Sequence, residues 1–242
     1  MRVLVISDIH ANLTAFEAVL EDAAGLWDKI WFLGDLIGYG PDPNECAELL
    51  CQYDPIALSG NHDWAVLGKL DISTFNAEAK AAITWTRATL NEQTRDYLKS
   101  LPAMRIEGVF TLAHASPRQP VWEYILDPYT AALNFDFFNT VYCLVGHTHV
   151  PVWFEEEDVY QVVPRMPEYG RPMHLPQNRL IINPGSVGQP RDSDPRAAYA
   201  LLDTETLCWE YRRVPYDINK VQKRMRACDM PSRLVNRLEY GW

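Results

Sequence analysis

The sequence predicts an α/β fold organised around a mainly parallel sheet, and two observations lead there. Apolar runs near 2–7, 29–33 and 55–58 alternate with helical patterns near 12–23 and 43–51, the rhythm of parallel strands joined by crossover helices. Five apolar runs along the chain end directly in residues with metal-binding side chains. In open α/β sheets the crevice outside the carboxyl ends of the strands is the usual ligand site.

The five runs are Val3 to Ile6 into Asp8 and His10; Ile30 to Leu33 into Asp35; Ile56 to Leu58 into Asn61 and His62; Val109 to Ala113 into His114; and Val141 to Val145 into His147 and His149. A short apolar run reads as a buried strand, so each ligand sits where the backbone leaves the sheet. Asp8-Ile9-His10 and His147-Thr148-His149 would each present two side chains on one face if extended geometry persists past the strand end. The pooled set is two carboxylates, one amide and four imidazoles, with His62 to spare. Such a set suits divalent manganese, iron, cobalt, nickel or zinc, and with no cysteine in it a structural thiolate zinc site is disfavoured. The alternative is a scatter of isolated core or loop histidines. One Asp-x-His would fit that alternative; five fragments behind five apolar runs favour a metal centre. His174 follows no such run and reads as a loop histidine.

Composition sets the bounds. No Gly/Ser linker or repeat divides the 242 residues, so a single domain over 1–242 is expected. No apolar run reaches membrane-spanning length. The amino-terminal segment enters a ligand-bearing strand at once and does not read as a signal peptide. Five cysteines without framework spacing (Cys46, Cys51, Cys143, Cys208 and Cys228) read as buried small residues in a reducing compartment, hence a cytoplasmic protein. A formal charge of −10 argues against broad nucleic-acid binding. It does not exclude a small anion: two divalent cations, two carboxylates and a bridging hydroxide leave the centre at about +1. A homo-oligomer stays open.

Asp42-Pro43-Asn44-Glu45 reads as a helix start, with Asp42 as cap, Pro43 in the first turn and Glu45 closing the box. Residues 75–101 read as helical, ended by Pro102. Beyond Gly108 the chain turns mostly to strands, near 109–113, 141–145, 150–156, 159–163, 179–183, 197–203 and 206–213. The acidic run 155–158 reads as a solvated hairpin tip or edge protection. Residues 164–176 read as a loop whose Arg165 and Arg171 face either the site or solvent. The tail from Asp217 reads as helical with a solvated basic face. The eight tryptophans read mostly as core rather than as base-stacking platforms.

Asp8-Ile9-His10, Gly34-Asp35, Gly60-Asn61-His62-Asp63, His114 and Gly146-His147-Thr148-His149 resemble, in the same order, the five motifs of calcineurin-like metallophosphoesterases. Gly38-Tyr39-Gly40-Pro41, His114-Ala115-Ser116-Pro117-Arg118 and Asn183 to Arg191 resemble the small prokaryotic phosphodiesterase branch of that family. The resemblance covers most of the chain, least so 155–178 and after 215. It implies a four-layer αββα sandwich of two mixed sheets between helices. It also implies two divalent metals, manganese first, with Asp8, His10 and His149 on one, Asn61, His114 and His147 on the other, and Asp35 bridging.

Such a centre clamps a phosphoryl group while a shared hydroxide attacks phosphorus in line. His62, next to Asn61 but not a ligand in this family, is placed to protonate the leaving oxygen or stabilise its charge. Asp63 either fixes the His62 ring or caps a helix. Arg191 and Arg118 are candidate phosphate grips; for Arg191 the alternative is an ion pair with Asp192 or Asp194. Asn12 either contacts the site or caps the first helix, and Tyr39 either lines the pocket or packs in its turn. The arginines around the second and third motifs of Ser/Thr protein phosphatases are missing here, which argues against a protein substrate. The expected activity is hydrolysis of phosphodiesters or related small phosphorylated molecules. Nucleotide pyrophosphate hydrolysis, as in diadenosine polyphosphatases, is the enzymatic alternative. A non-catalytic binding scaffold of the same fold is the other, although such scaffolds lose metal ligands or the acid histidine and this chain keeps all of them.

Overall fold

Alternate residues of the first strand go to different cores. Leu4 and Ile6 pack with Phe16, Val19, Cys46 and Leu50, whereas Val3 and Val5 pack with Phe110, Leu112, Leu144 and Ile182. A strand apolar on both faces lies inside a layered molecule. The computed structural model, which describes all 242 residues, shows two six-stranded mixed sheets with helices outside them.

The strands are β1 (Arg2–Ile6), β2 (Lys29–Phe32), β3 (Ile56–Ala57), β4 (Met104–Glu107), β5 (Phe110–Ala113), β6 (Tyr142–Leu144), β7 (Val152–Asp158), β8 (Gln161–Arg165), β9 (Met173–His174), β10 (Leu180–Asn183), β11 (Ala197–Asp203) and β12 (Cys208–Val214). The helices are α1 (Leu13–Asp22), α2 (Pro43–Cys51), α3 (Asn61–Val66), α4 (Ala77–Thr89), α5 (Glu92–Ser100), α6 (Pro128–Asn134), α7 (Ile218–Ala227) and α8 (Ser232–Asn236). One sheet runs β3-β2-β1-β11-β12-β9 and the other β4-β5-β6-β10-β7-β8. Helices α1 and α2 cover the first sheet, and α6 with Phe135 and Phe138 covers the second. That is the four-layer αββα sandwich.

Direction matters most for function. β1, β2 and β3 are mutually parallel, and so are β5, β6 and β10. All five ligand-bearing runs therefore end along the same edges of the sandwich, as the sequence predicts.

Several local expectations are corrected. The helical stretch 75–101 is two helices: Leu90 turns extended, and the Asn91 side chain accepts from the Thr94 N–H to start α5, so a cap overrides the apolar period. Asp42 stands at the start of α2 without capping it; its carboxylate pairs with Arg224 instead. β4 escapes detection because it is largely exposed. His174 lies on β9, paired with Cys208, not in a loop. Arg165 pairs with Glu155 and Glu157, and Arg171 with Glu168, so neither reaches the site. Cys51 is exposed. The tail does not present only a solvated face: Val221, Met225, Leu234 and Leu238 pack with Tyr39, Ala79 and Ala82. No helix is long and apolar enough to cross a membrane.

Candidate metal centre

The ligand turns are not extended. Asp8, His10, Asp35, His147 and His149 all have φ between 48° and 63°, in the left-handed region that costs non-glycine residues on the order of 1–2 kcal/mol each. The expectation that extended backbone sets Asp8 beside His10, and His147 beside His149, is therefore corrected. Tight turns do it, and other loops hold them. Asp8 and His10 donate backbone N–H groups to the Gly34 and Asp35 carbonyls, and Gly188 donates to the Asp8 carbonyl. Ser186 Oγ donates to the same carbonyl at 2.9 Å. Asn183 Nδ2 donates to the Gly146 carbonyl at 2.7 Å and to Thr148 Oγ1 at 2.9 Å.

Asp63 is the knot between the second and third loops. Its carboxylate accepts from the backbone N–H groups of Gly60 (2.8 Å), Asp35 (3.1 Å), Leu36 (3.4 Å) and Ile37 (3.2 Å). It makes no hydrogen bond to the His62 ring; from the third position of α3 it closes the cap of that helix through the Gly60 N–H and fixes two turns through their amides. The turns approach so closely that a Cβ on Gly60 would lie 2.1 Å from Asp35 Oδ1, so only glycine fits there.

Two groups of ligand atoms result, Asp8, His10 and His149 in one, Asp35, His114 and His147 in the other, each with its atoms within 4.8 Å of one another. Asp35 joins them. Its Oδ1 accepts from the His62 N–H at 2.8 Å. Its Oδ2, buried and without a hydrogen-bond donor, lies 3.6 Å from His10 Nε2 and 3.4 Å from His114 Nε2. Asn61 Oδ1 is 3.1 Å from His114 Nε2. All seven predicted ligands are buried and brought together.

The protons show that the set fits cations. His10 Nδ1 donates to the Ile37 carbonyl at 3.1 Å, and His149 Nδ1 to the Gln189 carbonyl at 2.5 Å. A carbonyl only accepts, so in the neutral rings both Nε2 atoms carry lone pairs. Those lone pairs face each other at 3.1 Å, with Asp8 Oδ1, also lacking a donor, 3.2 Å from His149 Nε2. Buried acceptors turned on one another repel unless positive charge lies among them. Burial lowers the pKa of His10 and His149 and takes His147 down to about 3, which leaves these imidazoles free to ligate. Burial alone would lower His114 too, but Asp35 and Asp8 outweigh it and push His114 up to about 9.

The remaining residues divide sharply. His62 is 4% exposed; its ring lies 5.0 Å from that of His10 and 4.2 Å from that of Tyr39, and its Nδ1 has no partner. Burial takes its pKa down to about 4. Arg191 stacks on Tyr39 with 5.8 Å between guanidinium and ring centre, and Asp192 and Asp194 are committed to Arg213 and Arg196, so the surface-pair alternative fails. Tyr39 and Arg191 line a cavity of about 660 Å³ beside the ligands. Arg118 is turned away: it pairs with Glu123, which also accepts from Ser116 and Asn134, and so anchors its own loop rather than gripping substrate. Asn12 caps α1 through Ala15, and its amide donates to the Gly188 carbonyl; both ends are occupied, so it supports the turn rather than touching substrate. Sequence reasoning missed Tyr124, whose ring lies 3.9 Å from that of His147.

The sequence profile of the calcineurin-like phosphoesterase superfamily domain matches residues 1–207. The chain belongs to that superfamily. Calcineurin-like phosphoesterases are metal-dependent hydrolases, in keeping with the two Asp/His groups. The chain is 36% identical to the uncharacterised protein MJ0912 of Methanocaldococcus jannaschii, over 99% of this chain and 98% of that one. It is 48% identical to a metallophosphoesterase from Sphaerobacter thermophilus of known structure, with a TM-score of 0.92 over 100% of this chain and 99% of the other. A symmetrical bis(5'-nucleosyl)-tetraphosphatase of Aromatoleum aromaticum is 29% identical over 48% of this chain and 44% of its own.

Two outcomes are expected. Asp35 and Asp8 hold His114 up at about 9, so it carries a proton at pH 7 in the metal-free protein, and metal loading should release at least about one proton per chain, that of His114 adding to any from an acidified water. Calorimetry in buffers of different ionisation enthalpy measures this, and loading without proton release contradicts the account. Asp35→Asn keeps the shape but removes charge between both groups. It should weaken both ions by at least about tenfold while the protein stays folded, as read by metal content after dialysis against limiting metal.

Proposed function

We propose that the chain is a two-metal phosphoesterase acting on phosphodiesters or related small phosphorylated molecules, with manganese as first choice and iron, nickel, cobalt or zinc as alternatives. The observation that carries this is Asp35 Oδ2, donor-free between the two ligand groups, the position of a bridging ligand. Asp8, His10 and His149 would hold one cation and Asn61, His114 and His147 the other. When bound, the cations supply charge against the phosphoryl oxygens and acidify a water at neutral pH.

The chain's own residues do the rest. Burial of all seven ligands keeps competing water away. Arg191 holds a phosphoryl oxygen. The forming bond joins water oxygen to phosphorus, the breaking bond joins phosphorus to the leaving oxygen, and His62 stands beside that oxygen. Its imidazole is neutral at pH 7, and a bound anionic phosphoryl group favours its protonation, after which it delivers the proton to the leaving group. Hydrolysis of nucleotide pyrophosphates is the second reading, favoured by the partial match to bis(5'-nucleosyl)-tetraphosphatase. A scaffold role accounts for none of the opposed acceptors. We further assign a cytoplasmic enzyme of one domain, with a small phosphorylated molecule rather than nucleic acid as its partner.

Protein stripped by chelation should not cleave bis(4-nitrophenyl) phosphate, and manganese, nickel or cobalt should restore turnover. No turnover with any of them would sink the reading. For His62, the loss should depend on the leaving group: nitrophenolate needs little protonation, whereas an alkoxide needs much. His62→Asn should slow alkyl or nucleoside diesters by roughly 100- to 10,000-fold and nitrophenyl diesters far less, with metal content unchanged. Parallel losses across leaving-group basicity would refute the acid role.

A further inference from the structure

The cavity beside the metal centre is walled on its far side by residues that no part of the proposed chemistry uses. It opens between Tyr39 and Tyr124 and is bounded by Arg237, Tyr240 and Trp242 together with Arg191. Tyr39 lies 4.8 Å from the His10 ring and Tyr124 lies 3.9 Å from the His147 ring, so its inner end meets the ligands. The family profile ends at residue 207. The outer wall is therefore supplied by residues beyond the stretch that the profile matches.

Two features of the wall point to a ligand. The first is close positive charge. Neither Arg191 nor Arg237 pairs with an Asp or Glu side chain; Arg191 Nη2 donates to Gln189 Oε1 at 2.9 Å, and the acids nearby are engaged elsewhere: Glu78 with Arg233, Asp192 with Arg213 and Asp194 with Arg196. Arg191 Nε is buried with no acceptor. Arg237 donates through Nε to the Trp242 oxygen and lines the cavity, with no hydrogen bond from its other guanidinium nitrogens. Burial and the neighbouring Arg191 lower the pKa of Arg237 to about 10, with Tyr39 and Glu78 offsetting part of the effect. Half-buried guanidinium groups without an anion are costly, and their forked donors match a phosphate.

The second feature is aromatic. Tyr240 and Trp242 stack on each other, with ring centres 4.8 Å apart, and remain 50% and 62% exposed. A large exposed ring pair at a cavity mouth is a surface on which a flat heterocycle can stack. Asn236 lies on the same lining and offers an amide to a base edge, and Asn76 there offers its Nδ2, its Oδ1 being taken by the Ala79 N–H. The cavity volume of about 660 Å³ is in the range of small-molecule sites.

We propose that this cavity is a second-phosphate and base subsite: Arg237, beside the Arg191 that holds the reacting phosphoryl group, grips the neighbouring phosphate, and Tyr240 with Trp242 receives the attached base. The substrate is then a nucleoside di- or polyphosphate derivative rather than a simple ester, and the tail selects it. The inference rests on the phosphoesterase reading for what happens at the metal centre, but not for what binds beside it.

The test is equilibrium binding by the full chain loaded with manganese, using the non-hydrolysable α,β-methylene analogue of ADP, with inorganic phosphate as the comparison. The analogue should bind at least about tenfold more tightly than phosphate. Arg237→Gln should weaken the analogue about 10- to 100-fold, and Trp242→Ala about tenfold, with phosphate affinity within about twofold of wild type in both. Trp242→Ala guards against a folding defect in Arg237→Gln, since its ring is mostly exposed. Equal affinity for analogue and phosphate in the wild type overturns the subsite, as does parallel weakening of both ligands in the variants. If nitrophenyl diesters turn over but the analogue ignores Arg237, the subsite falls and the phosphoesterase reading stands. If no metal gives turnover but analogue binding depends on Arg237 and Trp242, the reverse holds.

Discussion

Everything in this molecule is arranged around a repulsion. Five loops bring carboxylate oxygens and imidazole lone pairs to one place, bury them, and leave several with no donor. The arrangement holds because each side chain is fixed from behind. Three imidazoles are tethered through Nδ1 to backbone carbonyls, Asp35 through the His62 amide, and Asp8 through the His147 amide. These tethers set the tautomer and aim the free atom inward. The left-handed turns are the backbone counterpart of the same strain. A fold can carry such a concentration of unfavourable terms only where the surroundings over-determine it, and here two sheets converge to do so.

The ligands were legible in the sequence because their information is local. Each follows its own apolar run by a few residues, so pattern and chemistry are read in one window. The four-layer architecture came through resemblance; alternation of helix and strand gave only its parallel half. What stayed hidden depends on distant partners. Nothing near Asp8 or His10 reveals that Gly188 and Ser186 hold their turn, or that Asp63 ties the second and third loops together. Arg118 and Arg191 sit in similar Pro-containing segments. What separates them is that Glu123, close in sequence, captures Arg118, whereas Asp192, adjacent to Arg191, is captured by Arg213 from another strand. The tail misled for a related reason. Its basic residues suggest solvent, yet its few apolar residues are spaced to close over Tyr39, and Arg224 reaches back to Asp42 and Thr14.

The molecule thus has two parts with different physical duties. The strand ends make a rigid, deeply buried cluster in which small displacements are costly, because packed sheets on both sides resist them. The segment after β12 is attached through one modest apolar cluster and a few ion pairs. Chemistry is held by the part that tolerates little change. The closure over Tyr39 is held by the part that tolerates more.

The position of β1 has a consequence for how the chain comes together. Its hydrogen-bonded neighbours are β2, which follows soon after, and β11, which pairs Leu4 with Leu201. The loop that clasps the Asp8 turn lies at 183–189. β1 pairs early with β2 but stays half-partnered until the distant β11 has been made, an arrangement of high contact order and slow closure. An apolar edge and two acidic turns are exposed throughout that interval. The native centre is therefore a late product of folding, and ions met earlier encounter scattered ligands rather than a formed site.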